Sequence, residues 1–108
     1  MDLRPSQVSC LETLLTAGFR LVTLEHVERY LPVEKNGFVA LLDPSEGKLR
    51  IFGQPGYRVA GGIGMLVESG EGKAFVWKKE FVRAGPELLA AYDRFRAELR
   101  ALLTRKAP

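Results

Sequence analysis

Apolar and polar positions follow two different periods along this chain, and the change of period divides it into three stretches. In "SQVSCLETLLTAG", Val8, Leu11, Leu14 and Leu15 recur at the spacing of one helical face. Ser6 or Ser9 can cap this helix, and Ser9 with Glu12 three residues later fits a capping box, in which side chain and backbone satisfy each other. Gly18 suits the stop, because glycine enters the left-handed region without a Cβ penalty. The next stretch, "FRLVTLEHVERYLP", supports two readings. "FRLVTL" has the look of a short strand, whereas Thr23 is placed to cap a helix through Tyr30 that ends before Pro32.

From Val33 the period shortens. "GFVALLDPSEGKLRIFG" predicts two strands around a turn of Asp43, Pro44, Ser45 and Gly47, with the Asp43 carboxylate positioned to accept from the turn backbone. "GIGMLVESGEGKAFVWKKEFV" repeats the arrangement around "SGEG", giving at least four strands in two hairpins. A longer amphipathic helix closes the chain. Pro86 fits its first position, and Leu88, Tyr92, Phe95, Leu99 and Leu102 follow at alternating spacings of four and three, with Leu89 and Leu103 widening the stripe. Arg100, Arg105 and Lys106 in its last turns complement the helix dipole. The expected fold is therefore α+β: an antiparallel sheet of four or more strands, an open or barrel-like meander, between an N-terminal and a C-terminal helix.

The strands do not alternate cleanly. "FVALL" is apolar at every position, and "MLV" and "FVW" continue the pattern, whereas a sheet with one wet face should alternate. Such strands need cover on both faces from helices and loops, from barrel closure, or from a second subunit. The last possibility predicts a homodimer or another protein partner.

Composition narrows the class. A chain of 108 residues fits one domain, residues 1–108, with a single modest core. No run of about 18 apolar residues is present to span a bilayer, so no membrane partner is expected. The amino terminus carries Asp2 and no apolar stretch, unlike a secretion signal. The single cysteine, Cys10, cannot form an intrachain disulfide, and a cytoplasmic location is expected. The net charge of +3 is unevenly spread: residues 48–83 hold seven basic and three acidic side chains, an excess that attracts anionic partners.

No reaction is specified by any motif. The glycine-rich run ending in Lys73 fails as a phosphate loop: its first glycine would fall on Val67, Ala74 replaces the hydroxyl residue, and "AFVW" is strand-like where a helix is required. A dinucleotide fingerprint fails at the same Val67. "SGEG" thus predicts a hairpin turn, and Gly61, Gly62 and Gly64 predict a bulge, a sharp bend or a close approach of another backbone, with a small ligand the less common cause. His26, the only histidine, stands beside Glu25 and Glu28, but neighbours one and two apart do not face each other on a helix. One histidine and one cysteine cannot assemble an ordinary zinc site, so neither metal nor other cofactor is expected. Cys10 reads as a small core hydrophobe.

The most specific rival is nucleic-acid binding. Lys48, Arg50, Arg58, Lys73, Lys78, Lys79 and Arg83 fall in or beside the predicted sheet with Phe52, Tyr57, Phe75 and Trp77 interleaved, the ingredients of a single-strand platform. A helix-turn-helix with "DPSEGK" as its wing is a second form of that rival, although "LEHVE" is too acidic to face phosphates. The expectation for function is a non-enzymatic interaction or self-associating domain, with a nucleic-acid module using Lys48, Arg50, Arg58, Lys73, Lys78 and Lys79 as the alternative.

Overall fold

Seven strands in strict sequential order form one antiparallel sheet, a meander that curls without closing into a barrel. The structure, a computed structural model, describes residues 3–24, 27–45 and 47–104. Helix α1 spans Pro5–Thr16. The strands follow as β1 (Arg20–Leu21), β2 (Leu31–Lys35), β3 (Phe38–Asp43), β4 (Arg50–Val59), β5 (Gly62–Ser69), β6 (Gly72–Trp77) and β7 (Glu80–Arg83), and α2 covers Pro86–Thr104. Each connection within β2–β3, β4–β5, β5–β6 and β6–β7 is a two-residue turn. Such turns need a left-handed backbone, and Asn36 (φ 55°), Gly37 (φ 87°), Ala60 (φ 48°) and Gly61 (φ 83°) supply it in the first two.

Both helices contribute to one core. Leu11 and Leu14 of α1 and Tyr92, Phe95 and Leu99 of α2 are buried in one cluster with Phe38, Ala40 and Leu42 of β3 and Phe75 of β6. Phe38 lies at its centre, with ring centroids 5.0 Å from Tyr57, 5.6 Å from Phe95 and 5.8 Å from Tyr92. The N-terminal helix departs from its expected face and cap. It begins at Pro5, and the Arg4 N–H donates to the Gln7 side chain at 2.8 Å, so Ser6 and Ser9 lie inside the helix rather than capping it. Gln7 takes a buried position because its amide also donates to the Pro44 carbonyl, while Val8 (41% exposed) and Leu15 (48%) face outward. A helix between Thr23 and Tyr30 is absent among the described residues, which removes the helix-turn-helix alternative; Glu25 and His26 lie outside the described residues, as do Arg105 and Lys106.

The two-sided apolar strand finds its cover within the chain. Phe38, Ala40 and Leu42 face the helices. On the opposite face Val39, fully buried, is the register partner of Glu34, and Leu41 stands between Pro32 and Phe52, whose ring stacks on Tyr30 at 4.2 Å. The apolar sequence "FVALL" therefore needs no second subunit.

Two polar anchors tie the layers together. The Lys35 ammonium donates to the Ala17 carbonyl at the end of α1 (2.8 Å) and pairs with Glu98 of α2 (2.8 Å), joining sheet and both helices at one point. There a cation also complements the α1 dipole. The Tyr92 hydroxyl donates at 2.7 Å to the Pro55 carbonyl. That carbonyl belongs to a bulge: between the pairs Leu41↔Phe52 and Val39↔Gly56, Gly53, Gln54 and Pro55 are left without register partners. A buried orphan carbonyl would be unfavourable, and Tyr92 satisfies it.

Candidate functional site

The glycine run is occupied by the protein itself. The Trp77 indole lies so close to Gly62 that any Cβ there would overlap it, and a Cβ on Gly64 would meet Val59 at 2.6 Å. Gly56 is pressed against the Gly64 backbone in the same way. Close approach of strand and ring, rather than a ligand, accounts for these glycines. "SGEG" is the predicted turn: Ser69 pairs with Gly72, and the Glu71 N–H donates to the Ser69 hydroxyl at 3.3 Å.

The basic residues expected to form one platform are dispersed. Lys48 and Arg50 stand at the beginning of β4. Arg58, near the other end of that strand, is bound to Glu34 at 3.3 Å. Lys73 opposes Glu68 across β5 and β6, and Lys78 and Lys79 form the β6–β7 turn, where the Lys78 ammonium lies 5.3 Å from the Trp77 ring. Of the interleaved aromatics, Phe75 is fully buried and offers no stacking face; Tyr57 and Trp77 are half-buried against the core, and Phe52 is exposed but already stacked on Tyr30.

Glu34 is the most constrained charge. It is buried, accepts from the Arg20 guanidinium through Nε at 2.8 Å and through a second, shorter contact, and faces Arg58 from the other side. Burial acts to raise its carboxyl, but the hydrogen bonds and charges of Arg20 and Arg58 outweigh it and hold the group below its ordinary value of 4.5. A lowered folded-state value stabilises the protein above the ordinary value, and this stabilisation disappears as pH falls through the folded-state value. Urea midpoints measured from neutral pH to below 4.5 should therefore fall more steeply for the wild type than for Glu34→Gln, which has no carboxyl to titrate there. Equal slopes would show that the ion-pair network contributes nothing to acid sensitivity.

Among the described residues, no group of three His, Cys, Asp or Glu side chains is arranged to hold a metal ion. Cys10 is half-buried, and that burial pushes its thiol above the ordinary value, away from the nucleophilic thiolate. No family model, curated protein or solved structure matches this chain. No helix among the described residues is long and apolar enough to cross a membrane.

Two surface features remain, on opposite faces. On the helix side, α1, the start of β4 and the second half of α2 enclose an open groove of about 1080 Å³. Lys48, Arg50, Arg96 and Arg100 line it, and no carboxylate is among its described lining residues. On the other side, the outer face of β5–β6–β7 carries two cross-strand rows: Met65–Val76–Phe81 and Val67–Ala74–Arg83. Met65 is 40% exposed, Val67 47% and Phe81 62%. The row between them, Leu66–Phe75–Val82, lies on the inner face and packs into the core, so this part of the sheet is apolar on both sides and covered on one.

The sequence signal for the outer face was present in "MLV" and "FVW", but "FVALL" carried the same signal and proved to be covered. Arg96 and Arg100 were hidden by their stripe: four residues apart, they flank the buried Tyr92, Phe95 and Leu99, which dominate the helical pattern.

Proposed function

We propose that this chain is a non-enzymatic interaction domain and that its partner is a second copy of itself, docked face to face through the outer surface of β5–β6–β7. The observation that carries this reading is the pair of exposed rows, Met65–Val76–Phe81 and Val67–Ala74–Arg83, with one charged residue among six. Exposed apolar side chains scattered singly need no explanation, but contiguous ones on one sheet face mark an interaction surface. A copy is the occupant that fits. It supplies an equally apolar face, with Arg83 the one cation in these rows, and two inner faces of this kind pack about 10 Å apart in sheet sandwiches. A cytoplasmic setting suits a chain whose single cysteine is a free thiol.

The nucleic-acid alternative has weaker support. Its cations lie at separated places on the fold, one of them is committed to Glu34, and one of its four aromatics, Phe75, is in the core.

Sedimentation equilibrium at high micromolar concentration should give about twice the 12.0 kDa chain mass for the wild type. Phe81→Asp should return the chain mass with an unchanged melting curve in dilute solution, because Phe81 is mostly exposed and contributes little to the monomer core. A monomeric wild type at that concentration, or a Phe81→Asp protein that still dimerises, overturns the reading.

A further inference from the structure

We propose that the free edge of β7 is a docking site for an extended segment of another protein, added to the sheet as a further antiparallel strand of alternating acidic and apolar character. The site is separate from the self-association face. It is a row of backbone groups at the rim of the sheet, whereas that face is made of side chains standing on the sheet.

The strand register shows which backbone groups are free. β7 is the last strand of the sheet and has β6 on one side only. Its hairpin closes at Trp77↔Glu80, and further along Phe75 pairs with Val82. Past the end of the strand, the Ala84 N–H donates to the Lys73 carbonyl at 2.9 Å. Hydrogen-bonded pairs alternate along an antiparallel ladder, so Glu80, Val82 and Ala84 turn their N–H and C=O groups towards β6. Phe81 and Arg83 therefore turn theirs away from it. Among the described residues, no protein group bonds to these outward donors and acceptors. Unpaired groups at this spacing are the template to which another strand adds, and antiparallel addition is the slightly more stable form.

The other rims of the sheet are less suited to an acidic strand. β1 is two residues long. The leading half of β4 is interrupted by the Gly53–Pro55 bulge, where proline has no N–H to offer. β5 runs free of β4 beyond Gly64, but that rim carries Glu68, which repels an acid. β7 has neither proline nor bulge, and all four of its residues are in unbroken register with β6.

Side chains along β7 set the chemistry of the incoming strand, because residues opposite one another across an antiparallel pair share a face. A residue opposite Phe81 prolongs the row Met65–Val76–Phe81 and is selected as apolar. One opposite Arg83 is selected as acidic, and Lys79, just before the strand, selects a second acid. Neither Arg83 nor Lys79 engages a carboxylate or an aromatic ring among the described residues, whereas Lys78 lies 5.3 Å from the Trp77 ring. In antiparallel docking the positions run acid, spacer, apolar, spacer, acid. The β7 strand of a second copy brings the same net positive charge to this edge and is disfavoured.

The test uses a fluorescein-labelled peptide, Gly-Glu-Val-Val-Thr-Glu-Gly, titrated with the protein and followed by fluorescence anisotropy. Saturable binding is expected. Methylating the backbone nitrogen of the second valine, opposite Phe81, should weaken it by about tenfold or more, the worth of a lost hydrogen bond and a steric clash. The same change at the first valine, whose N–H points away from β7, should have little effect. Arg83→Pro removes the outward N–H without touching the β6 ladder, a position where edge strands accept proline, and should weaken binding more than Arg83→Ala does. Circular dichroism checks that the variants fold, and the methylated peptides test the same ladder on the unaltered protein. Absence of saturable binding at millimolar protein overturns the site, as do equal effects of the two methylations or unchanged binding by a folded Arg83→Pro protein. A dimer that the peptide dissolves assigns the edge to a second copy and overturns it too. A monomeric wild type that binds the peptide as expected supports the edge site and counts against the self-association reading alone.

Discussion

Replacing Phe75 with alanine should lower stability by about 3–5 kcal/mol, the usual range for emptying the site of a buried phenylalanine. Phe75 is fully buried, and its ring lies 5.2 Å from Tyr92, 5.5 Å from Tyr57 and 6.3 Å from Phe38, so the cavity would open at the junction of β3, β4, β6 and α2. The three surrounding rings cannot collapse into that space without breaking their mutual contacts and the Tyr92–Pro55 hydrogen bond. Domains of this size are stable by about 5–15 kcal/mol in total, so the variant should be near the limit of folding. A fall in melting temperature on the order of 15–30 °C is expected, from about 4–8 °C per kcal/mol. Val8→Ala provides the comparison. Val8 belongs to the apolar stripe of α1 in the sequence but is exposed, and its replacement should change stability by less than about 0.5 kcal/mol. Similar melting curves for the two variants would mean that the core is not where these contacts place it.

The second large effect is expected at Gly62. A methyl group there overlaps the Trp77 indole, so Gly62→Ala must either push the ring out of its place or separate β5 from β6. Overpacking of this kind typically costs about 1–3 kcal/mol, and displacement of a large aromatic adds to it. Trp77 is the only tryptophan, which gives a direct readout. Its fluorescence should shift to longer wavelength as the half-buried ring gains water, together with a lower denaturation midpoint. Gly70→Ala should change neither, because a Cβ at that turn meets nothing within 4 Å and Gly70 has no left-handed backbone to strain. An unshifted Gly62→Ala spectrum would show that the ring does not rest on this glycine.

The proposed contact between apolar faces, unlike one between charges, should persist as salt is raised.

Local chemistry in the sequence determined much of the fold. The C-terminal helix was legible from Pro86 and from Tyr92, Phe95 and Leu99, because a single sharp stripe has one possible period. The Asp43 turn was legible because the carboxylate acts on a backbone N–H two residues away, at 2.9 Å. β1, two residues long, lies within "FRLVTL", one of the two readings of its stretch. Two strands were missed for equally local reasons: β2 carries Pro32, Glu34 and Lys35 in place of an apolar alternation, and β7 is separated from β6 by only the Lys78–Lys79 turn, so "FVWKKEFV" reads as one segment. Asn36-Gly37 was the available signal for the β2–β3 hairpin.

What the tertiary structure alone decided is which apolar or charged residue faces what. "FVALL" and "MLV" are equivalent as patterns, yet the first is covered by α1, α2 and the Glu34–Tyr30 side of its own chain, and the second is bare outside. Lys48 and Arg100 are 52 positions apart and meet across one groove, while Arg58, only eight positions from Arg50, is bound elsewhere to Glu34. Periodicity fixes only the angle between neighbours on one element. The cover on a strand and the company of a charge depend on how elements distant in sequence pack, as the Lys35 contacts to both helices and the approach of Trp77 to Gly62 illustrate.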